Sequence, residues 1–124
     1  MTLELQGMSR QVGGRIHIHP TSLTLQKGTM NVLLGPTLSG KTSLMRAIVG
    51  RHPASGGRID WMGQDLRGLS APDRARRGIA YVPQGREIFP LLTVRENLEA
   101  AFATLPRGAR RIPDAVFELF PVLL

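Results

Sequence analysis

The sequence contains no cysteine among its 124 residues. Disulfide bonds, cysteine-ligated zinc sites and thiol nucleophiles are therefore excluded for this chain. Aromatic residues make up only 5% of the composition, and no apolar run approaches the ~20 residues that a membrane-spanning helix needs. The first ten residues, MTLELQGMSR, lack the long apolar stretch of a signal peptide, which favours a location in the cytoplasm.

Positive charge is in excess, because 16 Lys and Arg residues face 9 Asp and Glu residues, for a formal net charge of +7. A nucleic-acid interface would combine basic patches with interleaved aromatic residues, and neither arginine cluster contains an aromatic residue. We therefore expect no nucleic-acid partner and interpret the clusters as solvated faces of helices and loops. Contact with an acidic partner or an anionic membrane surface stays open. The clusters are Arg74, Arg76 and Arg77, and Arg107, Arg110 and Arg111.

Apolar periodicity predicts an α/β fold with an antiparallel strand layer over residues 1–29 and a parallel-sheet core with flanking helices over 30–124. Short apolar runs such as MNVLL are typical of strands buried on both faces, and Thr93 with Glu96 predicts a capping box at a helix start. The predicted strands span residues 3–8, 16–25, 30–34, 58–62 and 79–82. The predicted helices span residues 41–49, 72–77, 93–102 and 114–120.

Residues 35–42 read GPTLSGKT and satisfy the phosphate-loop pattern G-x-x-x-x-G-K-[ST] between a predicted strand and a predicted helix. In such a loop, backbone N–H groups surround phosphate oxygens, and the helix directs its positive end at the same anion. Lys41 would reach the β- and γ-phosphates of ATP, and the Thr42 hydroxyl would be a ligand of Mg²⁺. The predicted nucleotide-binding residues are Gly35, Pro36, Thr37, Leu38, Ser39, Gly40, Lys41, Thr42 and Ser43.

A second segment, residues 78–98, reads GIAYVPQGREIFPLLTVRENL. It resembles the ATP-binding subunits of ABC transporters, in which a strand ending in glutamine precedes a T-V-x-E-N-L helix start. The resemblance implies a P-loop NTPase fold and places Gln84 in the glutamine loop. In that role Gln84 would contact Mg²⁺ and the attacking water, and the loop after it would contact the transmembrane subunit.

The resemblance implies an importer subunit that couples ATP binding and hydrolysis to solute uptake. Residues 79–98 and 118–123 are most similar to importers of branched-chain amino acids or urea, whereas the first third is closer to carbohydrate-type importers. The implied partners are a second nucleotide-binding subunit, a transmembrane permease and, indirectly, a periplasmic solute-binding protein. The implied location is the cytoplasmic face of the plasma membrane, as a peripheral protein.

The chain also departs from the family pattern. It resembles only the first half of a typical subunit, and it contains no acid after four apolar residues, no signature helix and no switch histidine. We therefore expect these 124 residues to bind ATP without useful turnover. Val12 stands where the family has an aromatic residue that stacks on adenine, so we expect weak discrimination between ATP and GTP.

Other interpretations of the sequence remain open at this point. A sugar-type importer ATPase or a small P-loop kinase would also begin with such a loop, although the 78–98 segment argues against the kinase. A basic, non-enzymatic module with a vestigial loop is a third possibility. His17, His19 and His52 do not favour a metal site, because no carboxylate or cysteine is spaced to complete it.

Overall fold

Four strands in the first part of the chain form one sheet in which all hydrogen-bonded neighbours are antiparallel. A computed structural model describes residues 3–124. The order across the sheet is β2-β1-β3-β4. The strands are β1 (Leu3–Val12), β2 (Arg15–Leu25), β3 (Gly56–Trp61) and β4 (Gln64–Asp65).

The central strand β1 is buried on one face and changes register at a glycine. Leu3 and Leu5 alternate inward as a strand requires, and a register shift after Leu5 brings Met8 to the core as well. Gly7 lies at this shift with φ +57°. A Cβ on Gly57 of β3 would lie 2.3 Å from the Gly7 carbonyl oxygen, so only glycine allows the two strands to approach this closely.

Two helices belong to the same unit, Met1–Tyr81. Helix α1 (Lys41–Val49) buries residues spaced three and four apart, and Gly50 ends it with φ +86°. Helix α2 (Ala71–Arg76) is capped by Ser70, whose side chain accepts a hydrogen bond from the Asp73 N–H. The core consists of Leu3, Leu5, Met8, Ile18, Leu44, Ala47, Ile48, Ile59 and Leu66.

The second unit, Val82–Leu124, contains short helical elements. They are α3 (Val94–Glu99) and α4 (Asp114–Leu119), with 3₁₀ turns at Ala100–Thr104, Arg107–Ala109 and Pro121–Leu123. Over residues 3–124, no helix has both the length and the apolar character needed to cross a membrane.

The predicted antiparallel layer and all four predicted helices are confirmed, with small changes at their ends. The helix predicted over 93–102 ends at Glu99 and continues as a 3₁₀ turn. Strands β3 and β4 also belong to the antiparallel sheet, although they lie in the range predicted as the parallel-sheet core. They join it because β1 pairs with β2 along one edge and with β3 along the other.

The strands predicted over 30–34 and 79–82 are wrong for this structure, because neither segment is a strand. Met30, Leu34 and Val82 are 93%, 85% and 90% exposed. A parallel strand requires neighbours that satisfy its N–H and C=O groups. Within residues 3–124, the only sheet is antiparallel and includes neither segment.

Candidate phosphate-binding site

The loop before α1 has two residues in the left-handed backbone region. Leu38 has φ +64° and Gly40 has φ +97°. A Cβ on Gly40 would also lie 3.2 Å from the His17 carbonyl oxygen of β2, so glycine suits this position for both its conformation and its size. The chain therefore makes a tight turn immediately before α1, as the sequence motif predicts.

The Lys41 ammonium lies inside this loop. Its Nζ donates to the carbonyl oxygens of Gly35 at 2.5 Å and Pro36 at 2.7 Å, and to Ser39 Oγ at 3.2 Å. A Cβ on Gly35 would lie 2.8 Å from Ser39 Oγ, so a side chain at position 35 would displace the hydroxyl that accepts from Lys41. The ammonium is thus held at the loop by bonds that an anionic ligand would exchange for its own oxygens.

The N-terminus of α1 has neither a side-chain cap nor an acidic residue in its first turn. Its N-cap is Gly40, which offers no side-chain acceptor. The first N–H groups of a helix lack intrahelical partners and carry partial positive charge. Together with the Lys41 ammonium, this end of α1 is suited to an anion.

A cleft of about 350 Å³ opens beside the loop. One part of its lining comes from β2 and includes His17 and His19, and the other comes from residues 33–44. No lining residue is acidic. The full lining is His17, Ile18, His19, Thr21, Leu33, Leu34, Gly35, Pro36, Ser39, Gly40, Lys41 and Leu44.

The predicted nucleotide-binding residues are brought together only in part at this cleft. Gly35, Pro36, Ser39, Gly40 and Lys41 line it, whereas Thr37, Leu38, Thr42 and Ser43 do not. The side chain of Leu38 is fully exposed, and Thr42 is exposed on the first turn of α1. Because a loop of this length is local in sequence, its spacing alone was sufficient to predict the turn before α1.

Gln84, predicted to contact Mg²⁺ and the attacking water, belongs to the second unit. It lies in a bend with an exposed side chain, and the next residue, Gly85, has φ +92°. The strand predicted to end at Gln84 is absent, and the bend follows a segment without regular secondary structure. Its role in the site remains a prediction.

The segment after Gln84 is organised by α3. The Thr93 side chain accepts from the Glu96 N–H, and the Glu96 carboxylate accepts from the Thr93 N–H at 2.7 Å, which confirms the capping box. The bond from the Thr93 N–H lowers the pKa of Glu96. Asn97 accepts from the Phe89 N–H and donates to three carbonyl oxygens of the same loop, including that of Thr93 at 2.9 Å. These bonds fix residues 89–93 against the helix.

Arg74 is a residue that sequence reasoning missed. It belongs to a cluster interpreted as solvated, yet it is only 5% exposed. Its guanidinium donates to the carbonyl oxygens of Ala47 and Ile48 in the last turn of α1, and to that of Leu69. Burial lowers the pKa of Arg74. No spacing or composition signal distinguishes Arg74 from its exposed neighbours.

His17 and His19 both line the cleft, but residues 3–124 contain no group of three His, Asp or Glu side chains positioned to hold a metal ion. Val12, at the end of β1, is 45% exposed and does not line the cleft.

A tight glycine loop, an ammonium held inside it and an uncapped helix N-terminus are the features of the P-loop class of proteins. The family model for ABC transporters matches residues 18–120. The chain therefore belongs to the ABC transporter family, and its fold is the P-loop fold of the ABC ATPases with an N-terminal antiparallel sheet.

Individual relatives agree on this family. The high-affinity branched-chain amino acid transport ATP-binding protein BraG of Pseudomonas aeruginosa is 37% identical over 107 residues, which are 86% of this chain and 46% of the relative. The lipopolysaccharide export system ATP-binding protein LptB of Escherichia coli is 38% identical over 99 residues, which are 80% of this chain and 41% of the relative.

A solved ATP-binding subunit of an ABC transporter superposes on this chain with a TM-score of 0.81 at 25% sequence identity. The superposed region includes 98% of this chain and 51% of the solved one. The chain thus spans about half the length of the proteins it matches.

Proposed function

We propose that this chain is the Mg²⁺–ATP-binding part of an ABC transporter subunit. The observation that carries the proposal is the Lys41 ammonium held inside the glycine loop at the uncapped start of α1. Both relatives described above are named as ATP-binding proteins, which supports the choice of nucleotide. Family membership also favours this function over a small P-loop kinase.

The residues present fit the nucleotide. Residues 35–43 would hold the phosphates through backbone N–H groups, the positive end of α1 and Lys41, and the cleft carries no acid that would repel them. Thr42 would be the Mg²⁺ ligand from α1. Gln84 would be a second ligand and would position the attacking water. When bound, Mg²⁺ offsets the charge of the phosphates and orients the γ-phosphate.

In the whole protein we infer ATP hydrolysis coupled to transport, with a second nucleotide-binding subunit and a transmembrane permease as partners. Branched-chain amino acids or urea are the proposed solutes, and a periplasmic solute-binding protein would deliver them. The similarity to BraG supports this choice. A sugar-type importer is the alternative, and the similarity to LptB, named for lipopolysaccharide export, shows that the family is not uniform in solute or direction.

The proposal is tested by titrating the chain with Mg²⁺–ATP in a calorimeter. A charge-assisted hydrogen bond contributes ~1.5–3 kcal/mol, so Lys41→Ala should weaken ATP binding by roughly 10- to 100-fold. The chain offers a matched control in Lys27→Ala, which removes the other lysine, exposed in the turn after β2, and should leave the affinity unchanged. Equal affinity in the wild type and both variants would contradict a phosphate site at Lys41.

A further inference from the structure

Part of the lining of the cleft comes from β2. His17 and His19 lie two residues apart, so they share one side of the strand, while Ile18 between them is buried at 6% exposure. Both histidines line the cleft that Lys41 also lines. The His17 carbonyl oxygen lies 3.2 Å from the position that a Cβ on Gly40 would occupy, so β2 lies directly against the loop.

The chemistry of this second wall suits an anion. An imidazole can donate a hydrogen bond from a ring N–H when neutral, and from both nitrogens when protonated. The lining contains one ammonium and two imidazoles but no carboxylate. An oxyanion in the cleft would therefore meet ring N–H donors from β2 and no carboxylate that repels it.

The charges around this end of β2 also favour an anion. The pKa of His52 is lowered, first by its burial and then by the nearby cations Arg10, Arg46 and Arg51, with His17 contributing as well. His17 therefore lies within electrostatic reach of His52, on which three arginines also act, so positive charge is concentrated around His52 near this end of β2.

We propose that His17 and His19 are phosphate-binding residues, which donate hydrogen bonds from β2 to the polyphosphate chain held by the Lys41 loop. The anion is then bound from two sides, by the start of α1 and by the edge strand of the antiparallel sheet. This inference rests on the proposed function, because the phosphate loop supplies the ligand that the histidines contact.

The test uses the whole chain and two probes, Mg²⁺–ATP and inorganic tripolyphosphate, each titrated in a calorimeter. Replacing both residues, His17→Ala with His19→Ala, removes two hydrogen bonds and should weaken tripolyphosphate and ATP alike by about 10- to 100-fold. Replacing both by glutamine keeps a side-chain N–H donor and should restore most of the affinity. His52→Ala is the matched control, since His52 does not line the cleft.

Both histidine side chains are exposed, so the variants should keep the wild-type melting temperature, which circular dichroism checks. Unchanged tripolyphosphate affinity in the double alanine variant, with Lys41→Ala still weakening it, would overturn this inference and leave the proposed function intact. A loss of ATP affinity alone would assign the histidines to the nucleoside and overturn the phosphate assignment. A wild type that binds neither probe would overturn both proposals.

Discussion

Leu38 has the left-handed backbone that favours glycine, although it carries a branched side chain. Its φ is +64°, and its side chain is fully exposed, so no packing compensates for the strained conformation. The left-handed region costs a residue with a Cβ roughly 1–2 kcal/mol. The strain lies at the tip of the phosphate loop, between two residues that bond to the Lys41 ammonium. At the scale of single residues, the loop therefore holds Leu38 in a backbone conformation that leucine does not favour.

Replacement of Leu38 by glycine should therefore stabilise the chain. Relief of the strain exceeds the added flexibility of the unfolded chain, so the free energy of unfolding should rise by about 0.5–1 kcal/mol. Urea denaturation measures the change. Leu38→Ala is the control, since it removes the same exposed side chain but keeps the Cβ. An equal gain in both variants would show that side-chain exposure, rather than backbone strain, is responsible.

At the scale of secondary structure, α1 is held at both ends by groups from other elements. Its start lies against β2, and its last turn receives the guanidinium of Arg74 from α2. Carbonyl groups at a helix C-terminus lack intrahelical donors and carry partial negative charge. A buried cation there supplies hydrogen-bond donors to these carbonyl groups and offsets their charge. The helix that carries Lys41 is thus anchored by a residue 33 positions further along the chain.

Loss of this anchor should be costly. Arg74→Ala removes the guanidinium donor of the Ile48 carbonyl oxygen and one of the two donors of the Ala47 carbonyl oxygen, which keeps the Gly50 N–H. It also removes packing beside Gly50, so we expect the free energy of unfolding to fall by about 2–4 kcal/mol. Arg76→Ala, two positions away, breaks only an exposed ion pair with Asp73 and should change stability by less than about 0.5 kcal/mol. Thermal unfolding of both variants gives the comparison. Similar losses of stability in the two variants would show that Arg74 is solvated, as the sequence analysis expected.

At the scale of the whole molecule, the first unit gains its core from one sheet face and α1, while the apolar segment 30–34 remains outside that core. Val32 is 73% exposed and Met30 is 93% exposed. Apolar residues exposed in a row promote self-association. In this segment the tertiary structure departs from the buried strand that the sequence predicted.

The substitution Val32→Lys tests whether residues 30–34 are exposed or form a buried strand. If the segment is exposed as described, Val32→Lys should change the free energy of unfolding by less than about 0.5 kcal/mol and reduce light scattering at high concentration. Ile59→Lys in β3, at 1% exposure, is the matched control and should unfold the chain. A loss of stability in Val32→Lys as large as that in Ile59→Lys would show that residues 30–34 pack as a buried strand.

Local features of this protein were determined by its sequence. The loop between Gly35 and Lys41, the capping box of Thr93 and Glu96 and the end of α1 at Gly50 all depend on residues within a few positions of one another. Their hydrogen bonds close over short stretches of chain, so spacing and residue type were sufficient to predict them. The family resemblance likewise rested on two short segments, and the comparisons confirmed the family.

Only the tertiary structure decided which segments pair and which side chains are buried. β1 takes β3 as its second neighbour, Arg74 is enclosed, and His17 and His19 meet the phosphate loop, although none of these partners is near in sequence. A strand forms only where another backbone supplies its hydrogen bonds. The apolar runs at 30–34 and 79–82 have the composition of buried strands, but they are not strands in the structure. Sequence pattern reports what a segment prefers, and non-local hydrogen bonding and burial decide whether that preference is realised.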